Sequence, residues 1–277
     1  MQLLYFFALT FGLISCNEMQ QEPSTHNSTT RITNINNIAS IPLPDGYKRI
    51  NFDIQSFAYY SRNIPLNKDN TVYLFNGQKK GNQTVQYAVL NIDVGNKDLQ
   101  QCADAAMRLR AEYLFSIKEN EAIAFQFSNG FNCDFNHYAN GYRVSLSGNS
   151  CKWIQQANKD DSHASFRKYL DIVYSYAGTK SLYNQMKSIP FSSIEPGCVL
   201  LQRREPYGHA VTVMDMAYNP KTNDTIFLLS QSYMPAQSIH ILRNPMNKDL
   251  SPWYSIHGND IIETPEWSFT KEDLKAF

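Results

Sequence analysis

The stretch that decides the fold is Gly208-His209-Ala210-Val211-Thr212-Val213, which lies inside a β-rich region from Gly197 to Tyr233. Apolar and β-branched runs bounded by Pro, Gly and polar turns are typical of strands. Three strands are therefore predicted, over Cys198–Gln202, His209 to about Met216, and Ile226–Tyr233. The connection between the last two is too short for a parallel crossover, so these strands should pair antiparallel.

This predicted pairing places Gln231 on the same face of the sheet as His209, either directly opposite or one diagonal step away. Side chains related in this way lie within about 5–8 Å of each other. The amide oxygen of Gln231 is then in a position to orient the imidazole. Asp215 shares the parity of His209 but is too far along the strand to contact it.

The most helical segment is Asp98 to Leu114, upstream of the strands. Asp98 and Gln101 have the spacing of a capping box, which predicts that the helix begins near Asp98. The dipole and free N–H groups at a helix amino end lower the pKa of a thiol. Cys102 is therefore a candidate nucleophile, although Asp98 and Asp104 oppose formation of its thiolate.

A cysteine hydrolase needs a thiol, a base, and a third group that orients the base. Cys102, His209 and Gln231 supply these groups, and we predict that they form a catalytic site. Cys102 can instead be an inert core thiol, and His209 a satisfied or surface histidine. Cys102 can also belong to a disulfide with one of the three cysteines that follow it: Cys133, Cys151 and Cys198.

The 277-residue chain has 25 basic and 25 acidic residues, so its net charge is zero. No basic stripe is present, which argues against nucleic acid and against an electrostatically bound membrane surface. Helices and strands are segregated late in the chain, which favours one α+β domain over residues 41–277. No two cysteines have metal-ligand spacing, so we predict neither a metal nor a cofactor.

Residue patterns also predict elements outside the histidine region. These are a strand over Thr71–Phe75, a hairpin over Tyr142–Leu146 and Cys151–Ile154, a helix over Ser162–Tyr176 with Ser162 as its N-cap, and a short helix over Ser181–Lys187.

The amino-terminal segment Leu3–Ile14 is apolar, uncharged and too short to span a membrane, as in an export signal. Its end, Leu13-Ile14-Ser15-Cys16, resembles a bacterial lipobox. We therefore predict a lipoprotein signal peptide over residues 1–15, a lipid anchor on Cys16 and a flexible polar tether over residues 16–40. This predicts an extracytoplasmic protein of the cell envelope, held to the outer membrane. The alternative is an ordinary secretory signal with an incidental cysteine.

Several long motifs occur in an order that resembles the bacterial family called domain of unknown function 4846, a resemblance that covers most of the chain after about residue 45. The motifs are Asp98–Asp104, Arg108–Leu114, Tyr176–Thr179, Ser230–Gln237, Ser251–Tyr254 and Thr264–Trp267. This resemblance implies no particular chemistry.

A more distant resemblance is to NlpC-type papain-like peptidases, through Gly197-Cys198-Val199 followed by Gly208-His209-Ala210-Val211. It implies an antiparallel sheet with the Cys102 helix packed against it, and hydrolysis of amide bonds, for example in cell-wall peptide. The chain has Cys198 where those proteins have Asp, and the residues around Cys102 differ from their nucleophile motif. The alternative is a non-catalytic envelope lipoprotein that binds glycan or protein through Trp- and Tyr-rich loops, Ser251–Tyr254 and Thr264–Trp267.

Overall fold

The computed structural model of the protein describes residues 36–277. The predicted signal peptide, the lipidation site Cys16 and most of the predicted tether lie outside these residues. The folded region includes residues that the sequence assigned to the tether, since the Asn37 side chain caps a short 3₁₀ turn over Ile38–Ser40. Ile38 is fully buried, so the folded domain starts a few residues before the predicted boundary at 41.

Fifteen strands are formed by the described residues. They are β1 (Lys48–Arg49), β2 (Gln86–Val89), β3 (Ala124–Gln126), β4 (Asn132–Asp134), β5 (Tyr142–Ser147), β6 (Ser150–Gln155), β7 (Lys187–Ser188), β8 (Val199–Gln202), β9 (His209–Asn219), β10 (Asp224–Gln231), β11 (His240–Leu242), β12 (Tyr254–Ser255), β13 (Ile261–Glu263), β14 (Ser268–Thr270) and β15 (Leu274–Ala276). Nine of them form one sheet whose main path runs β2-β11-β10-β9-β8-β15-β7, with β1 on β9 and β12 on β10.

Five α-helices accompany the strands. They are α1 (Phe57–Arg62), α2 (Cys102–Ser116), α3 (Phe135–Ala139), α4 (His163–Tyr176) and α5 (Thr179–Gln185). All strand pairs within the sheets are antiparallel, and the fold class is mixed α+β, as predicted. No helix within residues 36–277 is long and apolar enough to cross a membrane.

The centre of the sheet is the pair β9 and β10, and Tyr218 is the only residue of β9 that is not buried. A bulge interrupts their ladder, because Leu228 pairs with Asp215 whereas Leu229 pairs with Val213. The bulge sets the register of the last residues of β10. Ser230 pairs with Thr212, which puts the next residue on the face that His209 occupies, one diagonal step away.

Helix α2 packs against β9 and begins at Cys102, not near Asp98. The Asp104 carboxylate accepts the Gln101 N–H at 3.0 Å, so the helix amino end is closed by Asp104. The Asp98 carboxylate instead accepts the backbone N–H of Ala236 at 2.7 Å. Asp98 therefore connects the segment before α2 to the loop after β10. The thiol of Cys102 lies in the first turn of α2.

The other predicted elements are mostly confirmed. Strands β5 and β6 form the predicted hairpin, and α4 begins after Ser162, whose hydroxyl accepts the Ser165 N–H at 3.2 Å. The short helix predicted over Ser181–Lys187 is α5, which starts two residues earlier than predicted, at Thr179. The predicted strand over residues 71–75 is wrong, because this segment makes only isolated bridges, to Lys79 and Gln237.

Candidate active site

His209 opens β9 at a position that requires glycine before it. A Cβ on Gly208 would lie 2.1 Å from the backbone oxygen of Gln202, so any side chain there would push the strand apart. The imidazole is 2% exposed and lies among aromatic rings, 4.8 Å from that of Tyr233 and 5.2 Å from that of Trp267. Local backbone packing and an aromatic enclosure therefore fix the position of the imidazole.

The Nε2 atom of His209 lies 2.9 Å from Oε1 of Gln231. An amide oxygen only accepts hydrogen bonds, so Nε2 carries the proton and donates it to Gln231. In the neutral imidazole the other nitrogen, Nδ1, then holds a free lone pair. This tautomer gives His209 a basic nitrogen on the side of the ring that faces away from Gln231.

The orientation of the Gln231 amide is fixed by two partners of its nitrogen. Nε2 of Gln231 donates to Oε2 of Glu266 at 2.8 Å and lies 3.4 Å from Nε2 of His240. His240 accepts at that atom because its Nδ1 donates to the backbone oxygen of Ser238 at 2.9 Å. A flipped amide would turn its oxygen toward a carboxylate, so Glu266 keeps the oxygen directed at His209.

The network continues beyond Glu266 to a buried amine. Lys80, which is 9% exposed, pairs with the other carboxylate oxygen of Glu266, and its ammonium lies 5.5 Å from the centre of the Tyr233 ring. A buried carboxylate without a cation would be strongly disfavoured. Lys80 therefore supplies a cation for the carboxylate that holds Gln231.

Cys102 is the first residue of α2 and keeps a partly exposed surface. Burial raises the pKa of its thiol to about 11, and the nearby Asp104 carboxyl raises it further in the same direction. The backbone N–H groups of Cys102, Ala103 and Ala210 act on the sulfur and lower its pKa. The helix start thus supplies hydrogen-bond donors around the sulfur, but these do not outweigh desolvation.

Burial also controls the charge of the His209 imidazole. It lowers the pKa of His209 to about 4, the hydrogen bond with Gln231 opposes this shift, and the Lys80 charge adds to it. At neutral pH the thiol and the imidazole are therefore both uncharged. Such a pair performs chemistry by moving the thiol proton to the imidazole during attack.

Cys102 and His209 line the same cavity, which has a volume of about 260 Å³. Its walls are mainly apolar and come from the loop before β9, which includes Tyr207, from the turn after β10, which includes Tyr233, and from Trp267 between β13 and β14. Trp267 is held in this position because its indole N–H donates to Oε1 of Gln202 at 2.9 Å. An apolar group of a ligand could enter this cavity and reach both the thiol of Cys102 and the imidazole of His209.

The structure brings together the three residues that the sequence selected, Cys102, His209 and Gln231. Cys102, Cys133, Cys151 and Cys198 are all free thiols, so none of the possible disulfides forms. Among residues 36–277 no group of three His, Cys, Asp or Glu side chains is arranged to hold a metal ion. Asp215 is remote from the site, as expected, and pairs with Arg49 and Arg62.

Sequence reasoning missed Glu266, His240 and Lys80. His240 could have been found from the strand pairing, because it lies directly opposite Gln231 in the β10–β11 ladder. Glu266 belongs to the Thr264–Trp267 motif, whose position in the sheet assembly no local pattern reveals. Nothing in the sequence around Lys80 signals its role.

A protein-family model described as "Domain of unknown function (4846)" matches residues 38–276. No curated protein and no solved structure is significantly similar to the chain.

Proposed function

The chain belongs to the family called domain of unknown function 4846, and we propose that it is a cysteine hydrolase that cleaves peptide or other amide bonds. The observation that carries the proposal is the His209–Gln231 hydrogen bond beside a cavity that Cys102 also lines. A thiol, a base with a defined tautomer and a group that fixes the base are the parts that such chemistry needs. No cofactor is required.

In the proposed first step the sulfur of Cys102 attacks the carbonyl carbon of the substrate, while Nδ1 of His209 takes the thiol proton. The carbonyl oxygen becomes an oxyanion, which the backbone N–H groups at the start of α2 are able to stabilise. Collapse of this intermediate breaks the carbon–nitrogen bond. The imidazolium of His209 gives its proton to the departing amine, and a thioester on Cys102 remains.

In the second step water attacks the thioester carbonyl and gives a proton to Nδ1 of His209. The carbon–sulfur bond breaks, the sulfur recovers a proton from His209, and a carboxylic acid leaves. Gln231 accepts the Nε2–H throughout, so the ring does not rotate. Glu266, which holds the Gln231 amide, acts as a positioning residue.

We also propose a papain- or NlpC-like arrangement for the α+β fold. The support is that α2, which starts at the thiol, packs on β9, which starts at the histidine. In this arrangement the first residue of α2, Cys102, and the first residue of β9, His209, line the same cavity. A solved structure of this chain with a thioester-forming inhibitor on Cys102 would test the assignment.

For the substrate we propose a peptide amide such as those of the cell wall, reached by a protein anchored to the outer membrane through lipid on Cys16. The support for the anchor is the Leu13-Ile14-Ser15-Cys16 pattern alone. If it is correct, Cys16→Ser expressed in bacteria moves the protein from the membrane fraction to the soluble extracytoplasmic fraction. Unchanged membrane association would contradict the anchor without affecting the proposed chemistry.

The hydrolase proposal is tested with the full chain and a mixture of cell-wall peptides released from purified sacculi. We expect new free amines, detected by fluorescamine and located by mass spectrometry, with the wild type and with Cys151→Ser, which keeps all proposed catalytic groups. Cys102→Ala and His209→Ala should release none. Equal amine release by the wild type and Cys102→Ala would overturn the proposal.

The second candidate function is non-catalytic binding of glycan or protein in the envelope. The aromatic loop Ser251–Tyr254 does not favour it, because Trp253 is 1% exposed and Tyr254 is 5% exposed. A different surface does, a cavity of about 570 Å³ between α1 and α2 whose walls include Tyr59, Tyr60 and Tyr113. Tyrosine faces suit the apolar faces of sugar rings.

This binding function predicts that Tyr59→Ala weakens retention of the protein on insoluble peptidoglycan, whereas Cys102→Ala does not. The hydrolase function predicts that Cys102→Ala abolishes amine release, whereas Tyr59→Ala does not. Retention that is unaffected by Tyr59→Ala would remove the tyrosine cavity as the binding surface.

A further inference from the structure

A separate cavity of about 180 Å³ lies between the segment before α2 and helix α4. It does not include Cys102 or His209. Its walls include Lys97, Gln100, Arg167, Lys168, Asp171 and Tyr174. The proposed hydrolase chemistry uses none of these side chains.

Three side chains of this cavity carry buried donor atoms that have no hydrogen-bond partner within residues 36–277. They are Nε2 of Gln100, the hydroxyl of Tyr174 and Nη1 of Arg167. Gln100 is 1% exposed and Tyr174 is 6% exposed, so solvent does not readily satisfy them. Unpaired buried donors are rare in folded proteins, and three around one cavity call for a common partner.

The orientation of the Gln100 amide is not arbitrary. Its Oε1 accepts a hydrogen bond from Nη1 of Arg108 at 2.8 Å, so the NH₂ group is the end left without a partner. Arg108 is itself buried, and its Nε atom donates a hydrogen bond to Oε1 of Glu112 at 2.7 Å. The free end of Gln100 is therefore a donor fixed in place by a neighbouring ion pair.

The charge around the cavity is positive. Lys97, Arg167 and Lys168 contribute three positive charges against Asp171, which pairs with Lys97 at 2.8 Å. Asp93 reaches Arg167 only at 3.6 Å and its side chain is 68% exposed, so it leaves much of the guanidinium charge uncompensated. Positive charge together with unpaired N–H and O–H donors matches a ligand that only accepts.

Behind this cluster Glu112 pairs with Arg108. Asp104 also lies there, and one of its oxygens lacks a partner. It lies near enough to Tyr174 to influence the pKa of that hydroxyl. Burial raises the pKa of the Asp104 carboxyl to about 8, so at neutral pH it is largely protonated and does not repel an anion.

We propose that this cavity binds a small oxyanion, either inorganic phosphate or a carboxylate group, through Gln100, Arg167 and Tyr174. A water molecule also fits, but it brings two donors of its own into a site that is rich in donors. An oxyanion presents several acceptor oxygens to these donors and balances the basic charge. This site is independent of the proposed hydrolase function.

The test measures thermal unfolding and calorimetric binding of the full chain in sodium phosphate, sodium acetate and sodium chloride at equal ionic strength. A ligand that binds only the folded state raises the unfolding temperature with saturable dependence on its concentration. We expect phosphate, acetate or both to do so, and chloride not to. A larger shift with phosphate identifies a tetrahedral anion, and a larger shift with acetate identifies a carboxylate site.

Two variants and their controls locate the binding. Tyr174→Phe removes only an unpaired hydroxyl, so the protein should fold at least as stably without anion, but its Kd should rise about fivefold. Arg167→Gln should raise the Kd at least about tenfold. The matched controls, Tyr183→Phe and Lys152→Gln, should bind as the wild type does. Responses to phosphate and acetate equal to that of chloride, or unchanged affinity in both variants, would overturn the proposal in favour of bound water.

Discussion

Two buried polar networks meet strand β9 about 20 Å apart along the strand, and they end differently. At Asp215 both carboxylate oxygens are occupied, by Arg49 at 2.8 Å and by Arg62 at 2.5 Å, and Asp215 is fully buried. At His209 the network from Glu266 through Gln231 stops at one imidazole nitrogen. The other nitrogen forms no hydrogen bond within residues 36–277 and belongs to a residue that lines a cavity.

The difference teaches how to separate structural from chemical polar groups in this fold. A closed network satisfies every donor and acceptor and stabilises the protein against unfolding. A network that leaves one polar atom without a partner, such as Nδ1 of His209, keeps that atom available for a ligand in the cavity. We propose that Asp215 serves stability and His209 the hydrolase chemistry proposed above, and four experiments test this division.

The largest expected effect is on catalysis. Cys102→Ala should lower the proposed amide hydrolysis by at least about 10³-fold, because the group that forms the covalent intermediate is lost. The free energy of unfolding should change little, since Cys102 borders a cavity and the substitution removes a single sulfur atom. Steady-state kinetics and urea unfolding of the same preparation measure both quantities. A large loss of stability with retained hydrolysis would make Cys102 a structural residue.

The next effect concerns the closed network. Asp215→Ala leaves Arg49 and Arg62 without their shared carboxylate and should lower the free energy of unfolding by about 3–5 kcal/mol. Urea denaturation gives this value, and turnover per folded molecule at low temperature should stay near that of the wild type. A selective loss of turnover in a protein of unchanged stability would erase the distinction between the two networks.

The third prediction concerns pH. The pKa of His209 is about 4 in the folded protein, below its ordinary value near 6.5, so the unfolded chain binds more protons between these values. Stability contributed by the neutral imidazole is therefore complete above pH 6.5 and is lost as pH falls toward 4. The loss amounts to about 3 kcal/mol for a shift of this size.

His240 has the same low pKa of about 4 for the same reason, burial, and adds to the acid sensitivity. We therefore compare urea midpoints of the wild type, His209→Gln and His257→Gln between pH 7 and 4. His209→Gln should flatten the profile, whereas His257, whose Nε2 contacts a backbone oxygen in an exposed turn, should leave it unchanged. Identical profiles for all three proteins would show that His209 is protonated without penalty.

The smallest expected effect is that of the positioning residue. Glu266→Gln keeps the shape but leaves one acceptor oxygen for two donors, Lys80 and Gln231, so the Gln231 amide is held less firmly and kcat should fall about tenfold with little change in KM. The exposed residue Glu272 provides the control Glu272→Gln. A fall in stability without any change in kcat would mean that Glu266 only balances the charge of Lys80.

Much of the candidate site could be predicted from sequence because its parts lie on periodic elements. Alternation along β9 and β10 predicted His209 and Gln231 on one face. Near the turn the register is odd, with Asp224 opposite Asn219, and the bulge beside Leu228 shifts it by one residue and so produces that face. The start of α2 was less predictable. Asp98 and Gln101 match a capping pattern, but Asp98 is drawn to the backbone of Ala236, a contact across 138 residues of chain.

The cysteines show a second limit of sequence reasoning. Their number allowed three complete pairings, and no spacing rule separated these pairings from four free thiols. The fold separates them, since Cys133 lies in β4 and Cys198 directly before β8, and all four thiols are free. Disulfide formation depends on distances that only tertiary packing sets.

The sequence by itself determined the α+β class and the antiparallel histidine strands, because periodicity and turn residues act locally. Only the tertiary structure decided that Glu266 reaches Gln231, 35 residues away along the chain, and that Lys80 reaches Glu266, 186 residues away. It also decided that Gln100, Arg167 and Tyr174 line one cavity. Such contacts join segments far apart in sequence. Their partners are chosen by where the sheet and helices dock, which no local pattern specifies.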